Sequence, residues 1–120
     1  MTEYVFDTYA VMEIIFGNKN YNNFIDSDFL INDFIFAELC YNLTKINYKN
    51  MDYYLEKYKK YLYQLNSNLI KEAMKFRYEN KKKKMSMADC ISYFQAKKLG
   101  IKFLTGDKEF ENLENVEFVK

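Results

Sequence analysis

Two acidic residues stand where short apolar stretches end. Asp7 directly follows Glu3–Phe6, whose β-branched and aromatic residues predict a strand. Asp107 follows the apolar stretch Ile101–Leu104, which predicts another strand, after a Thr-Gly pair. The carboxyl ends of parallel strands meet at one edge of a sheet, where α/β proteins bind ligands. If both strands belong to one parallel sheet, Asp7 and Asp107 should therefore lie at that edge together.

A third acidic residue, Glu38, falls within a stretch that predicts a helix. The sequence DFIFAELCYNLTKI, from Asn32 or Asp33 to about Asn47, is apolar nearly all round and should be deeply packed. A carboxylate on such a helix is costly unless it is paired or bound to a metal. The simpler alternative is that Glu38 reaches solvent or meets a lysine.

The fourth acidic residue lies in Met85–Phe110, the stretch around which the chain is organised. Asp89 follows Ser86 by three residues, which predicts an acidic capping box at the start of a helix. Gly100 stands where a left-handed residue ends such a helix, directly before the predicted strand. A helix that leads into a strand in this way is half of an α/β unit.

The four carboxylates together suit a hard metal ion. Singly, Asp7, Asp89 and Asp107 could each cap a helix or lie in its first turn. At one sheet edge with Glu38, they would offer the oxygen ligands that Mg²⁺ and Mn²⁺ prefer. The sequence has no histidine, which excludes imidazole catalysis, Ser-His-Asp triads and most zinc sites. Its 3 glycines form no phosphate-binding loop, so hydrolysis would depend on carboxylates and a metal.

Composition predicts one globular domain over residues 1–120. The hydrophobic content of 49% is enough for a packed core. Cys40 and Cys90 are far apart and form no CxxC pattern, which favours a reducing compartment. Glu3 and Asp7 interrupt the only apolar stretch near the N-terminus, and no run approaches the roughly 20 apolar residues of a membrane span. We expect no signal peptide, no membrane segment and a cytoplasmic protein.

Charge is distributed unevenly although the net charge is only +1. Residues 1–50 carry 3 lysines against 7 acids, whereas residues 51–102 carry 13 lysines and arginines against 5 acids. An acidic cluster beside a basic surface suits a metal site that acts on a polyanion. Lys81, Lys82, Lys83 and Lys84, with Lys97 and Lys98, are the candidate contacts for the phosphates of such a polyanion, and a solvated helix end is the alternative for the run.

The middle of the chain is helical and rich in tyrosine and lysine. Phe29–Ile31 predicts a second buried strand and Val116–Val119 a final edge strand. Ser67 should cap a helix, while residues 61–65 fit either a helix end or a third strand. A stripe at helical spacing is typical of core or a subunit interface more than of nucleic-acid stacking. The stripe consists of Tyr54, Leu55, Tyr58, Tyr61 and Leu62.

The order VFDT…FAELCYNL…MSMADCISYFQAKKLGIKFLTGDKEF resembles the PIN-domain ribonucleases, and most closely the VapC-type toxins of toxin–antitoxin pairs. Essentially the whole chain takes part in this resemblance. Asp7 and Thr8 match the acid and hydroxyl residue after the family's first strand. Glu38 matches the acid of the AEL helix, Asp89 that of the S-x-x-D helix start, and Asp107 that of the T-x-D turn.

The resemblance implies a three-layer α/β/α domain with a central, mainly parallel sheet of four to five short strands. It also implies Mg²⁺- or Mn²⁺-dependent endonucleolytic cleavage of RNA, leaving a 5′-phosphate and a 3′-hydroxyl. Asp7 and Asp89 would hold the ion with help from Asp107 and Glu38, and Thr105 would orient Asp107 or the attacking water. A cognate antitoxin and a homodimer contact involving the stripe and the helix over Phe34–Tyr48 are the partners that this family suggests.

Departures from the family pattern leave alternatives open. Lysines fill the region before Ser86 where many members have arginine and glycine, and the tyrosine-rich middle puts the third strand in doubt. One alternative is a PIN-like RNA-processing nuclease without an antitoxin. Another is a binding module without turnover, and a third is a phosphorelay receiver domain, which has a similar sheet. The receiver alternative lacks adjacent acids after the first strand, because Asp7 stands alone.

Overall fold

A four-stranded parallel sheet forms the centre of the fold, and the computed structural model describes residues 1–120. Its strands are β1 (Tyr4–Phe6), β2 (Phe29–Leu30), β3 (Lys102–Thr105) and β4 (Val116–Phe118). They pair in the spatial order β2-β1-β3-β4, and every pairing is parallel. The predicted sheet is therefore confirmed, with β4 at the edge that the sequence indicated.

Five α-helices and two 3-10 helices surround the sheet. The α-helices are α1 (Thr8–Ile15), α2 (Asp33–Lys45), α3 (Met51–Lys59), α4 (Ser67–Glu79) and α5 (Met87–Leu99). The 3-10 helices span Lys19–Phe24 and Lys108–Phe110. None of the helices combines the length and the apolar character that crossing a membrane requires.

Two apolar clusters occupy opposite faces of the sheet and define the layers. One contains buried residues of α1, α2 and α3, and the other contains buried residues of α4 and α5. Successive side chains of a strand point to opposite faces. Accordingly, Phe6 and Leu104 belong to the first cluster, whereas Val5 and Phe103 belong to the second. This arrangement confirms the three-layer α/β/α fold.

The ends of α5 follow the sequence signals closely. The amide of Asp89 donates to Ser86 Oγ at 3.0 Å, and the reciprocal bond from the Ser86 amide completes the capping box. Gly100 ends the helix in the left-handed conformation, with φ of 70°. The predicted cap of α4 is wrong by one residue. Asn66 rather than Ser67 is the cap, because its side chain accepts from the Asn68 amide at 2.7 Å.

The segment between α3 and α4 forms only a single bridge. Ile31 pairs in parallel with Leu62, and the Tyr63 amide donates to the Ile31 carbonyl at 2.8 Å. No further pairing extends this contact into a strand. The third strand left open over residues 61–65 is therefore reduced to one bridge beside β2.

Helix α2 is packed on one side only, which contradicts the prediction that it is deeply packed. Ile35, Leu39 and Leu43 are fully buried, while Tyr41 is 68% exposed. The buried residues recur every four positions and form one stripe against the sheet, so apolar residues elsewhere on the helix face outward. The tyrosine stripe is divided in the same way.

Within that stripe, Tyr58 is 2% exposed and belongs to the core, but Tyr61 and Leu62 are exposed. Tyr58 packs against Phe29 of β2 at a ring separation of 6.0 Å. Part of the stripe therefore belongs to the core and part to the surface. Neither burial in the core nor a subunit interface accounts for all five residues.

Candidate active site

The strand order creates a switch point between β1 and β3. From β1 the chain moves to β2 on one side, and β3 then pairs on the other side of β1. Ligands of open α/β sheets bind outside the carboxyl ends of strands at such a point. The Asp7 amide donates to the Leu104 carbonyl at 3.0 Å, so the ends of the two strands are in direct contact. Asp7 and Asp107 do follow neighbouring strands at one edge.

An open cleft of about 490 Å³ lies at this switch point, and all four predicted acids line it. They come from the end of β1, from α2, from the first turn of α5 and from the turn after β3. The full lining is Asp7, Thr8, Tyr9, Glu38, Asn42, Ser86, Asp89, Gly106, Asp107, Lys108 and Lys120.

Asp7 is held in the cleft in a way that a helix cap does not explain. Its backbone occupies the cap position of α1, yet its side chain makes no capping hydrogen bond. The Thr105 hydroxyl donates to Asp7 Oδ2 at 2.6 Å. The other oxygen, Oδ1, is buried and has no hydrogen-bond partner, and the residue is only 2% exposed. An orphaned buried carboxylate oxygen requires a proton or a cation.

Asp7 and Asp89 lie within hydrogen-bonding reach of each other. Burial raises the pKa of Asp7 well above its usual range, and the nearby Asp89 carboxylate raises it further. Burial also raises the pKa of Asp89, although the neighbouring Asp7 carboxyl and hydrogen bonding with Ser86 oppose that rise. No salt bridge reaches any of the four cleft acids, since every ion pair of the chain involves other residues. The pair therefore concentrates uncompensated negative charge.

Glu38 lines the open cleft and forms no ion pair with a lysine. The Thr8 hydroxyl donates to Glu38 Oε1 at 2.6 Å, and the side chain is half-buried. Burial raises the pKa of the Glu38 carboxyl, the Thr8 hydrogen bond opposes this, and the charge of Asp89 adds to it. Thr8 therefore orients one cleft acid as Thr105 orients another.

Thr105 contacts both Asp7 and Asp107, and its role in orienting Asp107 or the attacking water stays a prediction. Its hydroxyl donates to Asp7 rather than to the Asp107 carboxylate, and it accepts from the Asp107 amide at 3.0 Å. The Asp107 side chain instead caps the 3-10 helix Lys108–Phe110, accepting from the Glu109 amide at 3.0 Å. Asp107 therefore caps a helix, as one of the two explanations predicted, and it also lines the cleft.

Four residues of the lining were not identified from the sequence: Tyr9, Asn42, Lys108 and Lys120. Asn42 lies one turn after Glu38 on α2, so helical spacing could have indicated it. Lys120 Nζ donates to the Gly106 carbonyl at 3.2 Å and lies 5.5 Å from the centre of the Tyr9 ring. No local signal predicts that contact, because it depends on how β4 is placed beside β3.

The candidate RNA-binding lysines fall into two groups. Lys81–Lys84 is exposed and directly precedes Met85 and Ser86 at the cleft. Lys97 lies at the other end of α5 from Asp89 and forms an ion pair with Glu114 at 3.0 Å. The structure brings only the first group near the acids.

The donor set fits a divalent cation of the magnesium type. No three of the carboxylates are close enough to form a ready-made set of ligands. Mg²⁺ accommodates such a site because it takes one or two carboxylates and keeps several waters. Asp7 and Asp89 are the carboxylates that lie together, and the orphaned Oδ1 of Asp7 is the oxygen that lacks a partner. Asp107 and Glu38 line the same space.

The fold and cleft define an open, parallel α/β domain with an acidic site at its switch point. The sequence profile of the PIN domain family matches residues 4–116. The chain belongs to the PIN domain family, whose members are typically nucleases. This membership removes the receiver-domain alternative. Comparison with curated proteins gives no significant match.

Solved structures with the same fold include two toxin–antitoxin assemblies. The chain is similar to a toxin–antitoxin complex from Klebsiella pneumoniae, with a TM-score of 0.74, 15% identity and coverage of 96% of each chain. It is also similar to VapBC2 from Rickettsia felis bound to a promoter DNA fragment, with a TM-score of 0.73, 17% identity and coverage of 99% and 100%. The chain is similar as well to PAE2754 from Pyrobaculum aerophilum, with a TM-score of 0.69, 14% identity and coverage of 98% of this chain and 90% of that one. At these identities the likeness concerns the fold.

Proposed function

We propose that this protein, as a single domain over residues 1–120, is a Mg²⁺- or Mn²⁺-dependent endoribonuclease and the toxin of a toxin–antitoxin pair. The observation that carries the proposal is Asp7, a buried carboxylate beside Asp89 with one oxygen that no group of the chain satisfies. A purely structural acid at this position would be capped or paired with a cation. Membership of a family of nucleases supports the same assignment.

The residues of the cleft have distinct roles in this proposal. Asp7 and Asp89 hold the ion, and Asp107 and Glu38 assist directly or through water. A bound Mg²⁺ supplies polarisation of a phosphodiester and acidification of water. Thr105 holds one oxygen of the Asp7 carboxylate and leaves the other oxygen free to bind the ion. Burial raises the pKa of Glu38, and Thr8 orients its carboxyl group. Glu38 can therefore hold or release a proton in the cleft.

Positive side chains in the cleft serve substrate binding. Lys120 is fixed by the Gly106 carbonyl and the Tyr9 ring, and Lys108 lines the same cleft. Lys108 and Lys120 are the only cations of the lining. Without them, the four acids of the cleft would repel a polyanion. Lys81–Lys84 extends this positive charge beyond the cleft, and we place Lys97 last among the candidates because Glu114 already pairs with it.

The cleavage assay tests the proposed activity. Purified protein should cut single-stranded RNA only when Mg²⁺ or Mn²⁺ is added, leaving 5′-phosphate ends, and EDTA should stop the reaction. Ca²⁺ serves as a control because it binds oxygen ligands with longer distances and looser geometry. Metal-independent cleavage, or none with any RNA under these conditions, would contradict the proposal.

The proposed partners are an antitoxin and a second copy of the chain. The proposed location of the protein is the cytoplasm. The Klebsiella pneumoniae and Rickettsia felis structures are toxin–antitoxin assemblies, which supports the first partner. An RNA-processing nuclease without an antitoxin is the competing assignment. The reading frame next to the gene distinguishes them, since an antitoxin would be encoded there.

Exposed apolar side chains on α2, α3 and the segment after α3 support the homodimer. They are Tyr41, Ile46, Tyr53, Tyr61 and Leu62. Tyrosine suits interfaces because it combines a large apolar face with a polar hydroxyl. Tyr58 is excluded from the contact because it is buried in the core.

Light scattering should give a mass near twice 14.6 kDa at micromolar concentration. The double substitution Tyr41→Lys with Tyr53→Lys should give a folded monomer, because both side chains are exposed. Tyr78→Lys, which changes an equally exposed tyrosine on α4, is the matched control and should leave the dimer intact. A wild-type mass near 14.6 kDa throughout the range would exclude the homodimer.

A further inference from the structure

A second cavity, of about 260 Å³, is lined by residues that precede Ser86 of the acidic cleft. We call it the basic groove, and its lining is Met74, Arg77, Tyr78, Lys81, Lys83 and Met85. It is built from the last turns of α4 and the connection to α5. Met85 lines the basic groove and the next residue, Ser86, lines the cleft, so consecutive residues of the chain separate the two sites.

The three cations of the basic groove are uncompensated. Arg77, Lys81 and Lys83 take part in none of the ion pairs of the chain. Arg77 Nε donates to the Met85 carbonyl at 2.9 Å, which orients the guanidinium while its terminal nitrogens are left for a ligand. A fixed guanidinium beside two flexible ammonium groups is suited to phosphate oxygens.

An exposed aromatic ring lies among these charges. Tyr78 is 68% exposed, and Lys81 Nζ lies 4.3 Å from the centre of its ring. A lysine on one side of the ring leaves the rest of its surface open. Exposed aromatic rings interleaved with cations bind single-stranded nucleic acid, because every base has a face that can stack.

We infer that the basic groove binds a nucleotide next to the scissile phosphate of single-stranded RNA. The base stacks on Tyr78, and the flanking phosphates meet Arg77, Lys81 and Lys83. The inference rests on the proposed function for its ligand: a strand whose phosphate occupies the cleft would extend past Ser86 and Met85 to the basic groove. Bases of a duplex are not available for stacking, so the groove selects single strands. An acidic peptide would use the cations but would not need the ring.

Binding measured in EDTA tests the groove apart from cleavage. With a fluorescein-labelled ten-nucleotide RNA, Tyr78→Ala should weaken binding roughly tenfold by anisotropy, because one stacked base is lost. Tyr78→Phe should bind like the wild type, since the ring is kept. Tyr63→Ala is the matched control on another surface, with 51% exposure in the wild type, and should have no effect. A duplex of the same sequence should bind more weakly and should not respond to Tyr78→Ala.

The salt dependence provides a second, independent readout. Replacing Lys81 and Lys83 by glutamine should reduce the slope of log affinity against log salt by about 1.4, at roughly 0.7 per phosphate contact. The control pair Lys49→Gln with Lys60→Gln, both exposed, should leave the slope unchanged. Unchanged binding in Tyr78→Ala overturns the inference, as does an equal loss for duplex and single strand. Sensitivity to the lysines alone overturns it, because the RNA would then be held by its phosphates without a base stacked on Tyr78.

Failure of the inference and failure of the proposed function give different results. RNA binding that depends on Tyr78 without any metal-dependent cleavage keeps the groove and refutes the nuclease. Metal-dependent cleavage without a Tyr78 effect on binding refutes the groove and keeps the nuclease. No RNA binding by the wild type overturns the groove directly.

Discussion

Asp7→Asn should reduce the rate of RNA cleavage by roughly a thousandfold or more. The substitution keeps the shape of the side chain and the oxygen that accepts from Thr105, but it removes the charge that faces Asp89. Metal ions contribute several kcal/mol of transition-state stabilisation, and each tenfold in rate corresponds to about 1.4 kcal/mol. Asp89→Asn should have the same effect on cleavage, because the two carboxylates act together. Each purified variant is assayed with Mg²⁺ and with Mn²⁺.

The same substitution should stabilise the metal-free protein at neutral pH. Burial and Asp89 raise the pKa of Asp7 in the folded state above 3.8, its value in the unfolded chain. The folded state therefore binds a proton more tightly than the unfolded state, and its stability falls as pH rises from about 4 to the raised pKa. The amide of the Asp7→Asn variant cannot ionise, so its stability should not fall with pH for this reason. The variant should therefore be more stable than the wild type only above about pH 4.

Thermal unfolding in EDTA across pH 4 to 8 measures this difference. In buffer without EDTA, addition of Mn²⁺ should raise the midpoint of the wild type and have much less effect on the variant, because an ion that binds the folded state stabilises it. Asp26→Asn is the matched control, since Asp26 is exposed and lies outside the cleft. Undiminished cleavage by Asp7→Asn, or equal Mn²⁺ stabilisation of variant and wild type, would remove Asp7 from the site.

The sequence predicted those parts of the site that depend on local geometry. The capping box of Ser86 and Asp89 and the left-handed Gly100 both involve residues within one or two turns of each other. Their energies are decided by the backbone of α5 alone, so the pattern in the sequence is sufficient. The strand ends before Asp7 and Asp107 are local in the same sense.

The parts that the sequence did not predict depend on tertiary contacts. Thr105 donates to Asp7 because β3 pairs beside β1, a neighbour relation that no short pattern encodes. The contact of Lys120 with Gly106 likewise depends on the edge position of β4. At the start of α4, adjacent Asn and Ser residues are both good caps, and which one is used cannot be decided from propensity.

The one-sided packing of α2 was missed for a related reason. Its sequence contains more apolar residues than the sheet face can cover, so composition alone predicted burial all round. A layer of a 120-residue domain covers one stripe of a helix, and residues such as Tyr41 remain outside it. The surplus apolar surface is what the proposed dimer would cover.

Gly106→Ala should lower both the stability of the fold and the rate of cleavage. A Cβ at this buried position would overlap the Tyr9 ring and lie 2.5 Å from the Val119 carbonyl oxygen. That oxygen belongs to the backbone and accepts from the Tyr21 hydroxyl, and the Val119 amide donates to the Thr105 carbonyl at 2.9 Å. The overlap cannot be relieved by one side chain, so the end of β4 must shift, at a cost of about 1–3 kcal/mol.

The effect on cleavage follows from where Gly106 stands in the chain. It separates Thr105, which orients Asp7, from Asp107, which lines the cleft. A displacement of about 1 Å among catalytic groups can reduce a rate roughly a hundredfold, and we expect a loss of that size. Cleavage rates and thermal midpoints are measured on the same preparations with saturating Mg²⁺.

Gly100→Ala separates the two effects. At φ of 70° and with nothing within 4 Å of a new Cβ, alanine there costs about 1 kcal/mol through backbone strain alone. Gly100 ends α5 far from its first turn, where Asp89 lies, so the rate of cleavage by the folded variant should stay near that of the wild type. If Gly106→Ala loses no more activity than Gly100→Ala at comparable loss of stability, the close packing at Gly106 supports the fold without positioning the acids. A larger loss shows that the close packing of Tyr9 and Val119 against Gly106 holds the Thr105–Asp107 turn in the geometry that the cleft requires.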